Sequence, residues 1–457
     1  MLSHEVKEQL IRIVGQKGYL DQKEELACFS YDAFVEEAMP EAVLFPVTTE
    51  QVSAILKIAS LHRIPVTGRG SGTSVCGAPI PVKQGIVLCF SKMDKIIELN
   101  TRDRYIIVQP GVINVDIQKA LAPYGFFYPP DPGSMTISTI GGNVAQNAGG
   151  PRCLKYGVTV DYLLGMEVVL ASGKVVRFGS RNVKDVTGYR ISSLFCGSEG
   201  TLGLTTEIIL KVVPLPESVR TMMVTFDDLE RCANAVTDII GSGIVPAAME
   251  LMDQMVLNAI EDASGLGLDR DAIGSLLIEV DGMKESCDRE VERIIEKVKA
   301  NGATTIQTAA SADERDALWR ARRAAYGVFA RMAPDIISED VTVPVSRVPE
   351  MVNRIRNIAD RYTLKVGILA HAGDGNMHPL IPADRNNKEE WARVTKAFEE
   401  MFQAAADLGG TLSGEHGIGL AKSAFLPLVM DRDSIEFMSQ IKHAIDPDNI
   451  LNPGKFV

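Results

Sequence analysis

The chain has 457 residues, long enough to bury a large core without disulfides or a structural metal. It is 46% apolar and 23% charged, an ordinary globular composition. Its 47 basic and 59 acidic residues give a net charge of −12, which argues against nucleic acid or an anionic membrane as partner.

Seven cysteines, an odd number with no C-x-x-C spacing, argue against a disulfide framework, a zinc ribbon and an iron–sulfur cluster. The N-terminus is polar and acidic within five residues, unlike a signal peptide, and no apolar run reaches the roughly 18 residues of a membrane span. The expectation is a cytoplasmic protein. At roughly 150 residues per domain the length suggests about three domains.

Residues 3–14 read as an amphipathic helix, capped by Ser3 and stopped by Gly15. From 41 to 215 short β-branched runs alternate with Gly and Pro clusters. Ile86 to Phe90, Tyr105 to Gln109, Gly165 to Leu170, Lys174 to Phe178 and Leu204 to Val213 read as strands. One helix interrupts them, with Thr48 and Gln51 as a capping box. From about 218 strands alternate with helices, and Pro214-Leu215-Pro216 marks the change. The predicted organisation is an N-terminal helical segment (1–40), a ligand domain (41–216), a second domain (217–420) and a C-terminal segment returning to the first (421–457).

Three glycine-rich loops stand in the first domain. Gly68-Arg69-Gly70-Ser71-Gly72-Thr73-Ser74 lets backbone N–H groups close on an anionic oxygen. It lacks the lysine of a P-loop and the third glycine of a Rossmann fingerprint. Tyr128 to Ser134 and Ile140 to Gly150 form a long run of small residues that suits a flat or phosphorylated ligand. Asn143 and Asn147 are its hydrogen-bonding handles. Gly197 to Gly203 enters a strand. Three such loops imply a large cofactor.

Together Arg69 to Ser74, Pro132-Gly133-Ser134, Ile140-Gly141-Gly142-Asn143 and Gly200-Thr201-Leu202-Gly203 resemble the FAD-binding domain of the vanillyl-alcohol oxidase superfamily. The resemblance implies an α+β fold: a two-lobed FAD domain plus a substrate (cap) domain with an antiparallel sheet and covering helices. It implies that Arg69, Gly70, Ser71, Gly72, Thr73 and Ser74 hold phosphates. Pro132, Gly133, Ser134, Gly141, Gly142, Asn143, Ala145, Gly200 and Gly203 follow the cofactor. Relatives with covalent flavin carry a histidine near position 73; this chain has Thr73 and no histidine between His62 and His371. The FAD is therefore expected to be non-covalent.

Of six histidines, His371, His378 and His416 cluster among glycines and carboxylates. In Ile368 to Ile381, apolar runs flank Asp374-Gly375, a two-residue hairpin signal. That turn would oppose His371 to His378, close enough to share a metal. Downstream, Gly414-Glu415-His416-Gly417 forms a glycine-bracketed turn before a helix. Two histidines and Glu415 would make an open metal site, leaving His416 as a base. These motifs are similar to the C-terminal domain of the D-lactate dehydrogenase, glycolate oxidase and D-2-hydroxyglutarate dehydrogenase group. The resemblance implies a divalent metal (Zn, Mn or Fe) on His371, His378 and Glu415, and His416 as catalytic base. It also implies that Arg322 binds a substrate carboxylate, with Tyr326 one turn on, and that Asn452 contacts the flavin ring. Ser338 stands where the hydroxyglutarate enzymes carry a lysine, which favours a short monocarboxylate.

The expected activity is oxidation of a short D-2-hydroxy acid, D-lactate or glycolate, to the 2-oxo acid. Hydride would pass to FAD, and electrons onward to an electron-transferring flavoprotein or an iron–sulfur subunit. A metal-dependent hydrolase and a non-catalytic FAD-binding subunit of a larger oxidase are the alternatives.

Overall fold

The computed structural model describes residues 2–456. It divides into two compact units. Among the described residues, the first comprises 2–149, 158–215 and 415–456; the second comprises 150–157 and 216–414.

In the first unit, helix His4–Val14 begins at Ser3, whose side chain accepts from the Val6 amide, and ends at Gly15 with φ 74°. Its buried Val6 and Leu10 join Leu44, Val52, Ile55, Leu56, Val66 and Leu88 in one core. Three parallel strands, in the order Ala42–Leu44, Ile86–Cys89, Val66–Arg69, make up most of a four-stranded sheet; Tyr19–Leu20 pairs antiparallel with the first and Val66–Arg69 is the opposite edge. The other lobe is a five-stranded antiparallel sheet ordered Ile96–Asn100, Tyr105–Val108, Leu204–Lys211, Leu163–Val169, Val175–Gly179. The tail closes on the first lobe. Val66 N donates to Ile450 O at 2.8 Å, Asn452 N donates to Val66 O at 2.8 Å, and Leu451 bridges Val66 in parallel.

Sequence reading treats 140–150 as bare loop; the structure folds Ile140–Gln146 into a helix. Thr139 caps it by accepting the Gly142 amide, and Asn147 ends it in the left-handed region. Gly141 lies so close to Pro110 that a Cβ would sit 2.5 Å from the proline Cβ. The small residues thus serve close packing of a short helix. A helix at Asn114–Leu121 also escaped the pattern search, and the helix expected after His416 is a 3₁₀ segment, Ser423–Leu428.

The second unit is built on an eight-stranded antiparallel sheet. Its path runs Ala303–Thr308, Ser218–Phe226, Gly274–Gly282, Ala248–Asp253, Gly367–His371, Asn376–Ala383, Asp335–Ser338, with Val341–Thr342 also pairing Asn376–Ala383. Helices Gln254–Ser264 and Ala312–Phe329 cover one face. There Val256, Leu257, Trp319, Ala325 and Phe329 pack on Met223, Ala248, Met252, Leu277, Leu369 and Leu380. The short excursion 150–157, which the sequence assigns to the first domain, groups with this unit. Its Arg152 pairs with buried Glu279 at 3.5 Å, and its Tyr156 hydroxyl donates to Asp281 at 2.7 Å.

Candidate active site

The first unit presents the glycine-rich loops. Gly70 and Gly72 are forced by packing. A Cβ at 70 would lie 2.0 Å from Thr139 Oγ1, and one at 72 would lie 2.1 Å from Arg69 Nη2, at φ 73°. Thr139 caps the helix of the second loop, so the two loops are pressed together at this point. Asp32, unmarked in sequence reading, shapes the end of the first loop by accepting the Gly77 amide at 3.0 Å. Burial pushes its carboxyl up to about 6, against the bonds from Phe34, Ser74 and Gly77 and the nearby Arg69. Gly203 touches Val168 and Phe195 too closely for any side chain, and Gly200 holds φ 71°.

The two asparagine handles are engaged by the protein itself. Asn143 accepts from Asn114 and donates to Ser138, at 3.2 and 3.3 Å. Asn147 Oδ1 accepts the Val160 amide at 2.9 Å. Other groups keep unspent capacity: Arg69 Nη1, Gln146 Oε1 and Asn452 Oδ1 are buried without a hydrogen-bond partner. Asn452 spends its amide N–H groups on Ala78 O and Glu199 O, at 3.0 and 2.7 Å. A cation in the first loop, an amide acceptor in the second and another on the tail are donors and acceptors fitted to a nucleotide cofactor. The residues present therefore suit FAD.

Residues 415–421, which carry Glu415 and His416, begin the last stretch of this unit. Cys76 Sγ donates to His416 O at 3.2 Å, and Cys76 O accepts the Leu420 and Ala421 amides at 2.8 and 3.2 Å. Burial pushes the Cys76 thiol far up, so it stays protonated and donates. Glu199 accepts the Ile418 amide at 2.7 Å and the Gly419 amide at 2.9 Å.

In the second unit the hairpin of the two histidines differs from expectation by two residues. His371 opposes Asn376, and His378 opposes Leu369, because the loop holds four residues, Ala372 to Gly375. A two-residue type I′ turn needs positive φ at both centres; Gly375 has φ 84°, whereas Asp374 is not in that region. Val343 fixes the longer loop, its N donating to Gly375 O at 3.1 Å. A slip of two leaves every side chain on its original face. Both histidines therefore still share a face, as diagonal neighbours, with ring centroids 5.1 Å apart at 85°.

Each ring is held through Nδ1. His371 Nδ1 lies 2.7 Å from Glu250 Oε1, and His378 Nδ1 lies 3.1 Å from Glu339 O. A carbonyl only accepts, and Glu250 is held ionised, so each ring donates from Nδ1 and turns Nε2 the other way. That is the arrangement of imidazoles used as metal ligands. Asp340, fully buried, lies 3.7 Å from His378 Nδ1 and binds Asn376 Nδ2 at 2.8 Å and Ser413 Oγ at 2.5 Å. The Gly414 amide donates to Asp340 O at 3.1 Å, and Glu415 follows one peptide later.

Arg322 reaches the same face from helix Ala312–Phe329 and pairs with Glu250; the two side chains are 8% and 0% exposed. Burial would raise the Glu250 carboxyl, but Arg322, His371 and His378 outweigh it and hold the group below its ordinary value. Arg322 Nε is buried without a hydrogen-bond partner, so the fork keeps donor capacity beyond Glu250. One turn earlier Trp319 Nε1 donates to Glu279 at 2.6 Å. Sequence reading missed Glu250 and Asp340. The signal for Glu250 was a carboxylate inside an apolar run, Ala247-Ala248-Met249-Glu250-Leu251-Met252, which demands a buried partner.

Residues 40–179 match the family described as FAD binding domain, and residues 215–456 match FAD linked oxidases, C-terminal domain. The chain is 46% identical over 456 residues to glycolate oxidase subunit GlcD of Bacillus subtilis (strain 168), covering 100% of this chain and 97% of that one. It is 39% identical over 416 residues to the GlcD subunit of Escherichia coli (strain K12), covering 91% and 83%. With D-lactate dehydrogenase of Anaerostipes hadrus it shares 33% over 437 residues, covering 93% and 92%. Among solved structures, p-cresol methylhydroxylase with substrate bound superposes with a TM-score of 0.82 at 19% identity, covering 99% of this chain and 96% of that one. That likeness shows the fold, which is the two-domain α+β class expected from the glycine loops. The match to the C-terminal family over more than half of the residues, joined to these full-length relatives, places the chain in the FAD-linked oxidases, as an FAD-dependent oxidoreductase.

Proposed function

We propose that this enzyme oxidises a short D-2-hydroxy acid, D-lactate or glycolate, to the 2-oxo acid and delivers the electrons to a partner protein. The observation that carries the reading is the pair of imidazoles held through Nδ1 on one strand face, beside a buried arginine with unspent donors. The names of the relatives, glycolate oxidase subunit and D-lactate dehydrogenase, support the substrate class.

His371, His378 and Glu415 would hold a divalent metal, whether Zn, Mn or Fe. Arg69 to Ser74, Pro132 to Ser134, Gly141, Gly142, Asn143, Ala145, Gly200, Gly203 and Asn452 would hold non-covalent FAD. When bound, the flavin supplies a hydride acceptor and the metal an electrophile for the substrate oxygen. Arg322 fixes the substrate carboxylate through the guanidinium edge that Glu250 leaves over. His416 takes the hydroxyl proton, a task suited to a group whose ordinary pKa lies near neutrality. Glu250 and Glu339 O keep the Nδ1 protons in place, so the imidazoles do not change tautomer during the cycle. The acceptor is a partner protein, such as an electron-transferring flavoprotein or an iron–sulfur subunit, because the chain has no cysteine set for a cluster of its own.

The test is anaerobic mixing of the purified holoenzyme with D-lactate, L-lactate or glycolate. Bleaching of the visible flavin band by D-lactate or glycolate, and not by L-lactate, is expected. A flavin that neither of the first two reduces overturns the substrate class. His416→Ala should abolish bleaching with FAD still bound, and bleaching at the normal rate removes His416 from the role of base.

A further inference from the structure

The geometry points to Glu199 as a positioning residue that aligns the His416 loop with the cofactor-binding loops. The inference rests on His416 being the base.

Glu199 is 5% exposed and holds φ 53°, a left-handed conformation that a glutamate adopts only when its surroundings impose it. What imposes it is a set of bonds to three separate segments. Its amide donates to Ala145 O at 2.8 Å, within helix Ile140–Gln146. Its carbonyl accepts Asn452 Nδ2 at 2.7 Å. Its carboxylate accepts the Ile418 amide at 2.7 Å through Oε1 and the Gly419 amide at 2.9 Å through Oε2. One residue therefore ties the second glycine loop and the tail asparagine to the loop bearing His416.

The receiving loop is shaped for this contact. A Cβ at Gly417 would lie 2.1 Å from Gln146 Oε1 and 2.7 Å from Glu199 Oε1, and one at Gly419 would lie 2.2 Å from Cys76 O. Both glycines have positive φ, 89° and 49°. The loop thus approaches Glu199 backbone to carboxylate, with no side chain between them. Charge-assisted bonds from a carboxylate to two successive amides are short and directional, so they fix the height of the loop as well as its presence. Burial pushes the Glu199 carboxyl up to about 7, while the Ile418 and Gly419 amides and the charges of Lys455 and Lys422 favour its ionised form. The buried group is retained at an energetic cost, as expected of a part kept for geometry.

The experiment compares holoenzymes carrying Glu199→Ala, Glu199→Gln and His416→Ala. In E199A the FAD content should stay stoichiometric and the half-saturating substrate concentration little changed. The flavin-reduction rate at saturation should fall by about 10²-fold, the cost of an ångström-scale misplacement of a catalytic group. E199Q keeps one acceptor oxygen and should recover part of the rate. Hydrogen exchange at the Ile418 and Gly419 amides should quicken in both, in the order Ala above Gln. A wild-type rate in E199A or, should E199A fail to fold, in E199Q, with H416A inactive, overturns the positioning role alone. Loss of FAD from E199Q overturns it in favour of a cofactor-holding role. A normal rate in H416A instead overturns the base assignment.

Discussion

Glu250 and Arg322 form a buried ion pair behind His371, and its removal gives a measurable account of how that face is held. The side chains are 0% and 8% exposed, so neither charge can turn to water when its partner is lost. Removing one member of such a pair costs about 3–5 kcal/mol, mostly the desolvation of the charge left behind. Glu250→Gln should therefore lower the melting temperature of the transition that contains this unit by about 6–20 °C, at about 2–4 °C per kcal/mol for a domain of this size. Arg322→Met should do the same, stranding Glu250. The double variant E250L/R322M should return most of the loss, since two apolar residues replace two charges. Scanning calorimetry on the four proteins measures these shifts. Single variants within about 1 kcal/mol of the wild type, the spread of an exposed pair, would refute the reasoning.

Asp253 caps helix Gln254–Ser264 and accepts the Val256 and Ile368 amides, at 2.9 and 3.0 Å, and burial raises its carboxyl to about 6. A raised folded value contributes stability in full below the unfolded value of about 3.9 and loses it as pH rises through 6. The stability of the wild type relative to Asp253→Asn should therefore improve as pH falls from 8 to 5, read from melting curves; a constant difference contradicts it. Gly375→Ala places a Cβ 2.0 Å from Val343 O at φ 84° and should cost more than the roughly 1–2 kcal/mol of a left-handed alanine. Gly327→Ala, inside helix Ala312–Phe329 with nothing within 4 Å, should gain about 0.5–1 kcal/mol; urea unfolding measures both. Metal depletion by a chelator should slow flavin reduction while leaving the visible flavin spectrum intact, with recovery on adding Zn, Mn or Fe. Full activity in a metal-free preparation counts against the histidine site.

The histidine hairpin shows how far the sequence could be read. Two apolar runs about Asp374-Gly375 identify the hairpin, and period-two alternation puts both rings on one face whether the loop has two or four residues. Loop length was not legible, because the bond between Val343 and Gly375 O that sets it comes from another strand. The helix Ile140–Gln146 was hidden for a related reason. Its residues have poor intrinsic preference for helix, and the Thr139 cap and close contact with Pro110 override that preference. The candidate ligands were named by residue type and spacing. The groups that orient them, Glu250, Asp340 and Glu199, were not, since each earns its role from partners far away in sequence.

The pairing of Val66 with Leu451 bears on the order in which the molecule is made. The edge of the first lobe's parallel sheet is finished by residues 450–452, so that lobe cannot be complete until the ribosome has passed them. Residues 216–414, by contrast, carry nearly all of the second unit in one continuous run. The later-encoded unit can therefore settle while the earlier one waits with an uncovered strand edge. Pairing between segments so distant in sequence is slow, and an open strand edge invites wrong partners meanwhile. Chaperone dependence and the yield of recombinant protein should accordingly be governed by the last few residues of the tail more than by the cofactor loops.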